Sequence, residues 1–144
     1  MQQYFSLAGR TALVTGGSRG IGRMIAKGFL QAGARVIICA RKMDECQATA
    51  RELGEYGECL ALSADLSSEE GARQLYADLQ AHCEQLDILV NNAGTSWGAP
   101  LEEFPVKGWE KVMQLNVTSV FSCIQQLLPL LRKAGSDASP ARVI

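Results

Sequence analysis

Short apolar runs alternate with longer amphipathic stretches along this chain. The apolar runs predict five strands, at residues 11–15, 34–39, 59–63, 86–90 and 141–144. Segments of helical length fill the gaps, which is the alternation expected of a parallel sheet covered by helices. Because the predicted strands contain few polar residues, both faces of the sheet are expected to be buried. The predicted fold class is α/β, with a doubly wound parallel sheet.

Helical periodicity predicts four connecting helices. They cover residues 20–31, 44–53, 68–86 and 106–133. In the first of them, Ile21, Met24, Ile25 and Phe29 form one apolar stripe, which is expected to face the sheet. The second and third are polar enough to lie on the surface, and residues 67–70, Ser-Ser-Glu-Glu, supply a cap for the third with acids in its first turn.

The last predicted helix carries more apolar positions than one sheet face requires. These positions are Trp109, Val112, Met113, Val117, Val120, Phe121, Ile124 and Leu128. Such a helix is either wholly buried within the chain or shared with a second subunit. Pro129 is expected to kink or end it, because proline removes a backbone donor and clashes with the preceding turn.

Composition and charge narrow the class of protein. The 144 residues are 47% hydrophobic, which predicts one domain over residues 1–144 that stops within the fifth strand. The net charge of −1 and scattered basic residues favour neither nucleic acid nor a membrane surface as partner. Five dispersed cysteines and a start without a signal-peptide pattern predict free thiols, no metal site and a cytoplasmic location.

A glycine-rich turn joins the first predicted strand to the first helix. Residues 15–22 read Thr-Gly-Gly-Ser-Arg-Gly-Ile-Gly. Glycine permits the tight turn at 16, close approach of backbone to phosphate at 20, and close helix–strand packing at 22. The helix N-terminus then favours an anion. The predicted cofactor-binding residues here are Gly16, Ser18, Arg19, Gly20, Ile21 and Gly22; the alternative is a purely structural turn.

The spacing TGxxxGxG makes the motif more specific. With three residues between its first two glycines, the loop resembles the cofactor loop of the short-chain dehydrogenase/reductase family. Three further segments agree in type and order: Ala-Asp-Leu at 64–66, Asn-Asn-Ala-Gly at 91–94, and Asn116. The resemblance covers essentially the whole chain. It implies a Rossmann-type fold of which the C-terminal half is absent from this sequence.

The resemblance also assigns residues to the rest of the cofactor. It implies that the Asp65 carboxylate accepts from the adenine amine and that the Leu66 backbone N–H donates to the ring. Asn91 and Gly94 are expected near the ribose, with Asn92 bracing the sheet. Considered without the family, Asp65 could equally be an N-cap for the following helix.

Charge after the second strand predicts the choice of cofactor. An NAD enzyme places an acidic residue there to bind the ribose 2′-hydroxyl. This chain has Arg41 and Lys42 instead, and a guanidinium can bind a 2′-phosphate bidentately. Arg19 could reach the same phosphate. NADP(H) is therefore the predicted cofactor, while two solvated cations are the alternative.

Asn116 is the predicted catalytic residue. An amide within an apolar helical stripe is costly unless its hydrogen bonds are met. In the family, the matching Asn helps to hold a water in a proton relay with Ser, Tyr and Lys; an interior Asn that bonds backbone is the alternative. None of the three tyrosines is followed four residues later by Lys, so the catalytic Ser and Tyr-x-x-x-Lys are expected beyond Ile144.

Residues 4–10, 91–98 and 108–117 resemble bacterial 3-oxoacyl-acyl-carrier-protein reductases, most of all the rhamnolipid-biosynthesis branch. This implies an NADPH-dependent carbonyl reductase that acts on an acyl thioester held on acyl carrier protein. It also implies a homodimer or homotetramer built on the long helix. The alternative is an NADP-binding regulator or inactive relative. Residues 1–144 alone are expected to be inactive, because the catalytic Ser and Tyr-x-x-x-Lys are expected beyond them. They are also expected to be poorly soluble, because half a sheet leaves its terminal strand exposed.

Overall fold

Five parallel strands form the sheet at the centre of the structure, a computed structural model that describes residues 2–144. The strands are β1 (Thr11–Thr15), β2 (Arg35–Ala40), β3 (Cys59–Ser63), β4 (Ile88–Val90) and β5 (Arg142–Val143). Their order across the sheet is β3-β2-β1-β4-β5, and every neighbouring pair is parallel. The predicted α/β class and parallel sheet are confirmed.

Helices connect the strands in the predicted order. They are α1 (Gly20–Gln31), α2 (Met43–Leu53), α3 (Glu69–Gln80), α4 (Val106–Met113) and α5 (Ser119–Ala134). A π-helical segment, Gln114–Thr118, joins α4 to α5 without a break. Single 3-10 turns lie at Gln2–Phe5 and Leu101–Glu103. None of the helices in the described residues combines the length and apolar character needed to cross a bilayer.

Two apolar cores lie on opposite faces of the sheet. One packs α1 and α2 against the sheet, with Leu30 and Leu53 among its buried side chains. The other packs α3 and α5, through residues that include Leu75 and Leu127. Strands β1, β2 and β4 are buried on both faces as expected, whereas β3 is half-buried and β5 is exposed.

The apolar stripe predicted for α1 does not form the buried face of the helix. Ile21 and Met24 are each 65% exposed, while the buried positions of the helix are Gly22, Ala26 and Leu30. Small residues at the first two of these positions let the helix axis lie close to the sheet. The larger apolar side chains are therefore pushed to the flanks of the contact, where Ile25 and Phe29 are only partly buried.

The third helix is shorter than predicted, because it ends at Gln80 rather than at residue 86. Its last turn tightens where the Ala81 N–H donates to the Asp78 carbonyl. The chain then turns towards the sheet, and Leu86 is fully buried with its N–H on the Leu130 carbonyl of α5. Leu86 therefore anchors the entry to β4 and does not continue the helix.

Pro129 does not end the long helix, which continues to Ala134. Its ring lies on the exposed side of α5. The carbonyl of Gln125, one turn earlier, loses its normal helical donor at this proline, but Gln125 is also exposed and water can satisfy it.

Much of the apolar stripe predicted on the long helix faces outward. Trp109, Met113, Val117 and Phe121 recur every four residues and are 61%, 38%, 52% and 64% exposed. We call these four residues the outer stripe. The core face of α5 consists instead of Ser119, Ser122, Cys123, Leu127, Leu130 and Leu131.

The buried carboxylate of Asp87 connects several segments at the amino edge of the sheet. Asp87 is only 4% exposed and accepts from the Thr11 N–H at 2.9 Å and from the Arg10 guanidinium at 2.8 Å. The same guanidinium donates to the Ser139 hydroxyl, and the Arg142 N–H donates to the Asp87 carbonyl. One residue thus connects β1, β4 and the segment that leads into β5.

Replacing Asp87 with Ala should lower the free energy of unfolding by about 2 kcal/mol, because the Thr11 N–H loses its acceptor and the Arg10 charge its partner. Urea unfolding measures this change. Glu84→Ala is the control: its exposed pair with Lys133 spans 4.0 Å, and its loss should cost no more than about 0.5 kcal/mol. Equal midpoints for the two variants would contradict a structural role for Asp87.

Candidate cofactor-binding and active site

The candidate site follows from the order of the strands. From β1 the chain adds β2 and β3 on one side and then crosses to place β4 on the other. In open parallel sheets, ligands bind in the crevice at such a switch point, beyond the carboxyl ends of the strands. The segments that follow β1, β2, β3 and β4 contain nearly all the predicted site residues, and they meet at this edge.

Thr15 and Asn92 join the ends of β1 and β4 across the crevice. The Thr15 hydroxyl oxygen accepts from the N–H groups of Asn92 at 3.0 Å and Ala93 at 2.9 Å. In return, the Asn92 side-chain amide donates to the carbonyls of Thr15 at 3.0 Å and Gly16 at 3.2 Å. Asn92 therefore braces the sheet, as predicted, and holds the first glycine of the loop in place.

The glycine loop has the backbone shape that its sequence predicts. Gly16 and Gly20 have φ of +64° and +56°, a region that side chains disfavour. A side chain at Gly22 would overlap the Gly16 carbonyl oxygen. Glycine at this position therefore lets the first turn of α1 pack directly against the backbone of the loop. Ser18 is fixed through its carbonyl, which accepts from the Thr49 hydroxyl of α2 at 2.7 Å.

The N-terminus of α1 is open to an anion. Arg19 occupies the N-cap position in extended conformation, and no side chain accepts from the first N–H groups of the helix. The first turn also contains no acidic residue. In α3, by contrast, the Ser68 hydroxyl accepts from the Gly71 N–H at 3.1 Å. The free donors and positive helix dipole of α1 suit a phosphate group.

Basic side chains surround this loop. Arg19 and Arg41 are exposed, and within residues 2–144 neither guanidinium forms an ion pair. Lys42 differs, because its ammonium lies 2.8 Å from the Glu45 carboxylate. That contact, with a smaller contribution from Arg19, lowers the pKa of Glu45. Two arginines are thus available for a ligand, whereas the adjacent Lys42 is paired with a carboxylate.

Asp65 is not the N-cap of α3. That position belongs to Ser68, and the Asp65 carboxylate instead accepts from the Ser67 hydroxyl at 2.7 Å and the Ser67 N–H at 3.0 Å. These hydrogen bonds lower the pKa of Asp65, so the group is a carboxylate acceptor at neutral pH. Leu66 is buried next to it and fixes the loop in the core.

Gly71 in α3 allows this loop to lie where it does. A Cβ at that position would overlap the Asp65 carbonyl oxygen and lie 2.7 Å from its carbon. The backbone of the helix therefore touches the backbone of the Asp65 loop directly. Sequence reasoning missed this residue, although a glycine in the first turn of a helix, three residues after a serine N-cap, is a signal of close approach.

Asn116 lies in the π-helical segment and is exposed, as are the apolar residues Met113 and Val117 of the outer stripe near it. Both the oxygen and the nitrogen of its amide nevertheless bond the backbone of one residue. The Oδ1 atom accepts from the Thr95 N–H at 2.8 Å, and the Nδ2 group donates to the Thr95 carbonyl at 3.0 Å. Gly94 lies beside this contact, where a Cβ would be 3.3 Å from Oδ1.

The remaining predicted residues have simpler surroundings. Asn91 donates to the Ile144 carbonyl from its backbone at 2.7 Å and from its side chain at 3.3 Å. Ile21 is exposed at the mouth of the glycine loop. Two residues that position the site, Thr49 and Thr95, were not predicted. Thr49 acts through one hydrogen bond to the Ser18 carbonyl and Thr95 through two between its backbone and the Asn116 side chain, and no local pattern encodes these contacts.

The cysteines do not supply a nucleophile. All five are free, and burial raises the pKa of Cys46 and of Cys123 to about 11. Thiols with such pKa values stay protonated at neutral pH. Within the described part of the chain, no cluster of His, Cys, Asp or Glu has the arrangement of a metal site.

Comparisons with known proteins agree with this geometry. The sequence profile of the family described as short chain dehydrogenase matches residues 10–143. The rhamnolipids biosynthesis 3-oxoacyl-acyl-carrier-protein reductase of Pseudomonas aeruginosa is 70% identical over 144 residues, which are 100% of this chain and 56% of that protein.

Solved structures are similar over the same region. The Pseudomonas aeruginosa RhlG/NADP active-site complex aligns with a TM-score of 0.97 at 70% identity, over 99% of this chain and 56% of the other. L-sorbose reductase from Gluconobacter frateurii, complexed with NADPH and L-sorbose, aligns with a TM-score of 0.85 at 32% identity, over 91% and 51%. The chain thus spans about half the length of the relatives it matches.

Replacing Gly71 with Ala should lower the free energy of unfolding by about 1–3 kcal/mol, because the new methyl group overpacks the contact with Asp65. Amide hydrogen exchange at residues 65–68 should accelerate as the loop is displaced. Gly28→Ala in α1 is the matched control, since its Cβ would meet open space. Better helix propensity should make that variant more stable by up to about 1 kcal/mol. Changes of the same sign in both helices would contradict the close contact.

Proposed function

Because the chain belongs to the short-chain dehydrogenase family, we propose that the protein containing it is an NADPH-dependent reductase of 3-oxoacyl thioesters. The observation that carries the proposal is the site at the switch point. It combines an uncapped helix N-terminus, a positive-φ glycine loop and two unpaired arginines at one edge of the sheet. The relatives whose structures were solved with NADP and NADPH support the choice of cofactor.

The residues of this edge fit the parts of NADP(H) in order. The loop from Gly16 to Gly22, with Ser18 and Ile21, would hold the pyrophosphate through backbone N–H groups. Arg19 and Arg41 would bind the 2′-phosphate, which two guanidinium groups recognise better than one cation.

In the loop after β3, Asp65 and the Leu66 N–H would bind the adenine. Asp65 has the chemistry for this, because its lowered pKa keeps it an acceptor for an exocyclic amine. Asn91 and Gly94, which follow β4, would lie beside the ribose. Bound NADPH supplies the hydride that reduces the carbonyl.

Asn116 is proposed as the catalytic residue that this chain contributes. Its side chain bonds both backbone groups of Thr95, and the backbone of the π-helical segment is proposed to hold a water of the proton relay. Such segments break the regular helical bonding pattern and are frequent at functional sites. A Ser and a Tyr-x-x-x-Lys beyond Ile144 are proposed to complete the relay.

The substrate class comes from the relative in rhamnolipid biosynthesis, whose name describes a 3-oxoacyl-acyl-carrier-protein reductase. We therefore propose a 3-oxoacyl thioester, carried on acyl carrier protein, as the substrate. An NADP-binding regulator without turnover is the second candidate, because the same loop would serve it. The two differ in whether bound NADPH is consumed when a 3-oxoacyl thioester is added.

Five free thiols support a reducing, cytoplasmic compartment.

The cofactor assignment is tested by Arg41→Asp in the full-length gene product. We expect NADPH binding to weaken by ~10- to 100-fold, because a charged hydrogen bond to the 2′-phosphate becomes a repulsion. NADH binding should change by less than about threefold, since that cofactor lacks the phosphate. Fluorescence titration measures both affinities, and NADPH oxidation with a 3-oxoacyl thioester measures turnover.

Lys133→Asp makes the same charge change on exposed α5 and controls for the net charge. Equal losses for NADPH and NADH with Arg41→Asp would contradict the NADP assignment. Tight NADPH binding by the unaltered protein without oxidation in the presence of thioester would favour the regulator.

We also propose that the outer stripe forms an interface with a second copy of the chain. Four large apolar side chains on one exposed helix face are unusual for a monomer, and an apolar patch can pair with itself around a two-fold axis. The family resemblance implies the same use of this helix. A homodimer or homotetramer is therefore the proposed assembly.

Phe121→Glu should convert the assembly to monomers, because it places a charge within the proposed apolar contact. Light scattering coupled to size-exclusion chromatography measures the mass in solution. The matched control is Met24→Glu, which puts the same charge on an equally exposed apolar position of α1. If Phe121→Glu leaves the mass unchanged, the outer stripe is not the interface.

A further inference from the structure

The indole ring of Trp97 packs against α4, the helix that leads to the π-helical segment with Asn116. Trp97 belongs to the loop after β4, and Gly108 is a buried position of α4. A Cβ at Gly108 would lie 2.7–2.9 Å from three atoms of the Trp97 ring, closer than any real contact. The absence of a side chain at Gly108 is therefore what allows the ring to lie against the helix backbone.

A cation on the same helix also contacts the ring. The Lys111 ammonium lies 5.7 Å from the centre of the Trp97 ring, within the range of a cation–π interaction. Lys111 follows Gly108 by three residues and so lies on the same side of α4. The orientation of the indole is thus set by two neighbouring positions of one helix, although 38% of Trp97 remains exposed.

The ring also lies close to the proposed reaction site. The backbone of Thr95 bonds Asn116 through both of its polar groups. Two residues of chain reach at most ~7 Å, so the backbone of Trp97 lies within that distance of Thr95. The loop that carries Trp97 is therefore tied to the segment that contains Asn116, while its ring packs against α4.

The loop around the ring is apolar. Residues 96–101 read Ser-Trp-Gly-Ala-Pro-Leu and contain no charge, and Leu101 is 90% exposed. An apolar ligand part that lies along these six residues gains by leaving water. The acyl chain of a fatty thioester has this chemistry.

We propose that Trp97 is a substrate-contacting residue that packs against the acyl chain and sets a preference for long 3-oxoacyl groups. Gly108 is its positioning residue, because it supplies the seat of the ring. This inference rests on the proposed function and specifies the substrate of that same site. The side chain takes no part in proton or hydride transfer, so its effect should grow with chain length.

The test compares Trp97→Ala, Trp97→Phe and the unaltered full-length protein on a series of 3-oxoacyl thioesters of increasing length. Each methylene that the ring shields from water should contribute up to about fourfold in kcat/KM. For Trp97→Ala we expect kcat/KM to fall by at least ~10-fold on a decanoyl-length substrate and by less than ~3-fold on acetoacetyl thioester. Trp97→Phe should retain part of the length dependence.

Gly108→Ala provides a second variant in which the indole is intact but displaced. It should flatten the chain-length dependence as Trp97→Ala does, while Gly28→Ala leaves it unchanged. Tyr4→Ala removes an aromatic residue that is 79% exposed before the amino end of β1, and it controls for the loss of a surface ring. A second readout is the fluorescence of Trp97 in a Trp109→Phe background, where it is the sole tryptophan.

In that background a long 3-hydroxyacyl thioester should change the Trp97 emission saturably, and a four-carbon analogue should not. An equal loss of kcat/KM at all chain lengths, or emission that does not respond to the long ligand, would overturn the role of Trp97. The failure of the unaltered protein to reduce any 3-oxoacyl thioester with NADPH would instead contradict the proposed function itself.

Discussion

The reciprocal hydrogen bonds between Thr15 and Asn92 are the constraint on which the rest of the site depends. They join β1 and β4 where the chain crosses from one half of the sheet to the other. The same contacts hold Gly16 at positive φ and bring the segment after β4 beside the glycine loop.

Local sequence patterns were sufficient for the architecture and the cofactor edge. Uniformly apolar strands and the order of the elements predict a parallel sheet, and that order alone brings Gly16, Arg41, Asp65 and Asn91 to the carboxyl edge. Positive φ at Gly16 and Gly20 follows from glycine chemistry. These features are encoded by adjacent residues, and so a single sequence reveals them.

Contacts between distant segments could not be predicted from the sequence alone. Periodicity identified an apolar surface on α1 but not which side of it faces the sheet, since Gly22 and Ala26 decide this by close approach. Likewise, spacing could not show that Asn116 bonds Thr95 backbone from an exposed π-helical turn. Thr49 was not predicted because its partner, Ser18, lies on another element.

The π-helical segment has a consequence for how this helix tolerates change in length. Residues before it carry Gly108 and Lys111 against a loop, and residues after it carry Cys123 and Leu127 into the core. The segment already departs from regular α-helical bonding, and one more residue inserted in Gln114–Thr118 would rotate one half against the other by about 100°. The core side chains and the contact of Gly108 with Trp97 could not then both be kept, so point substitutions are compatible with this segment, whereas a further insertion is not.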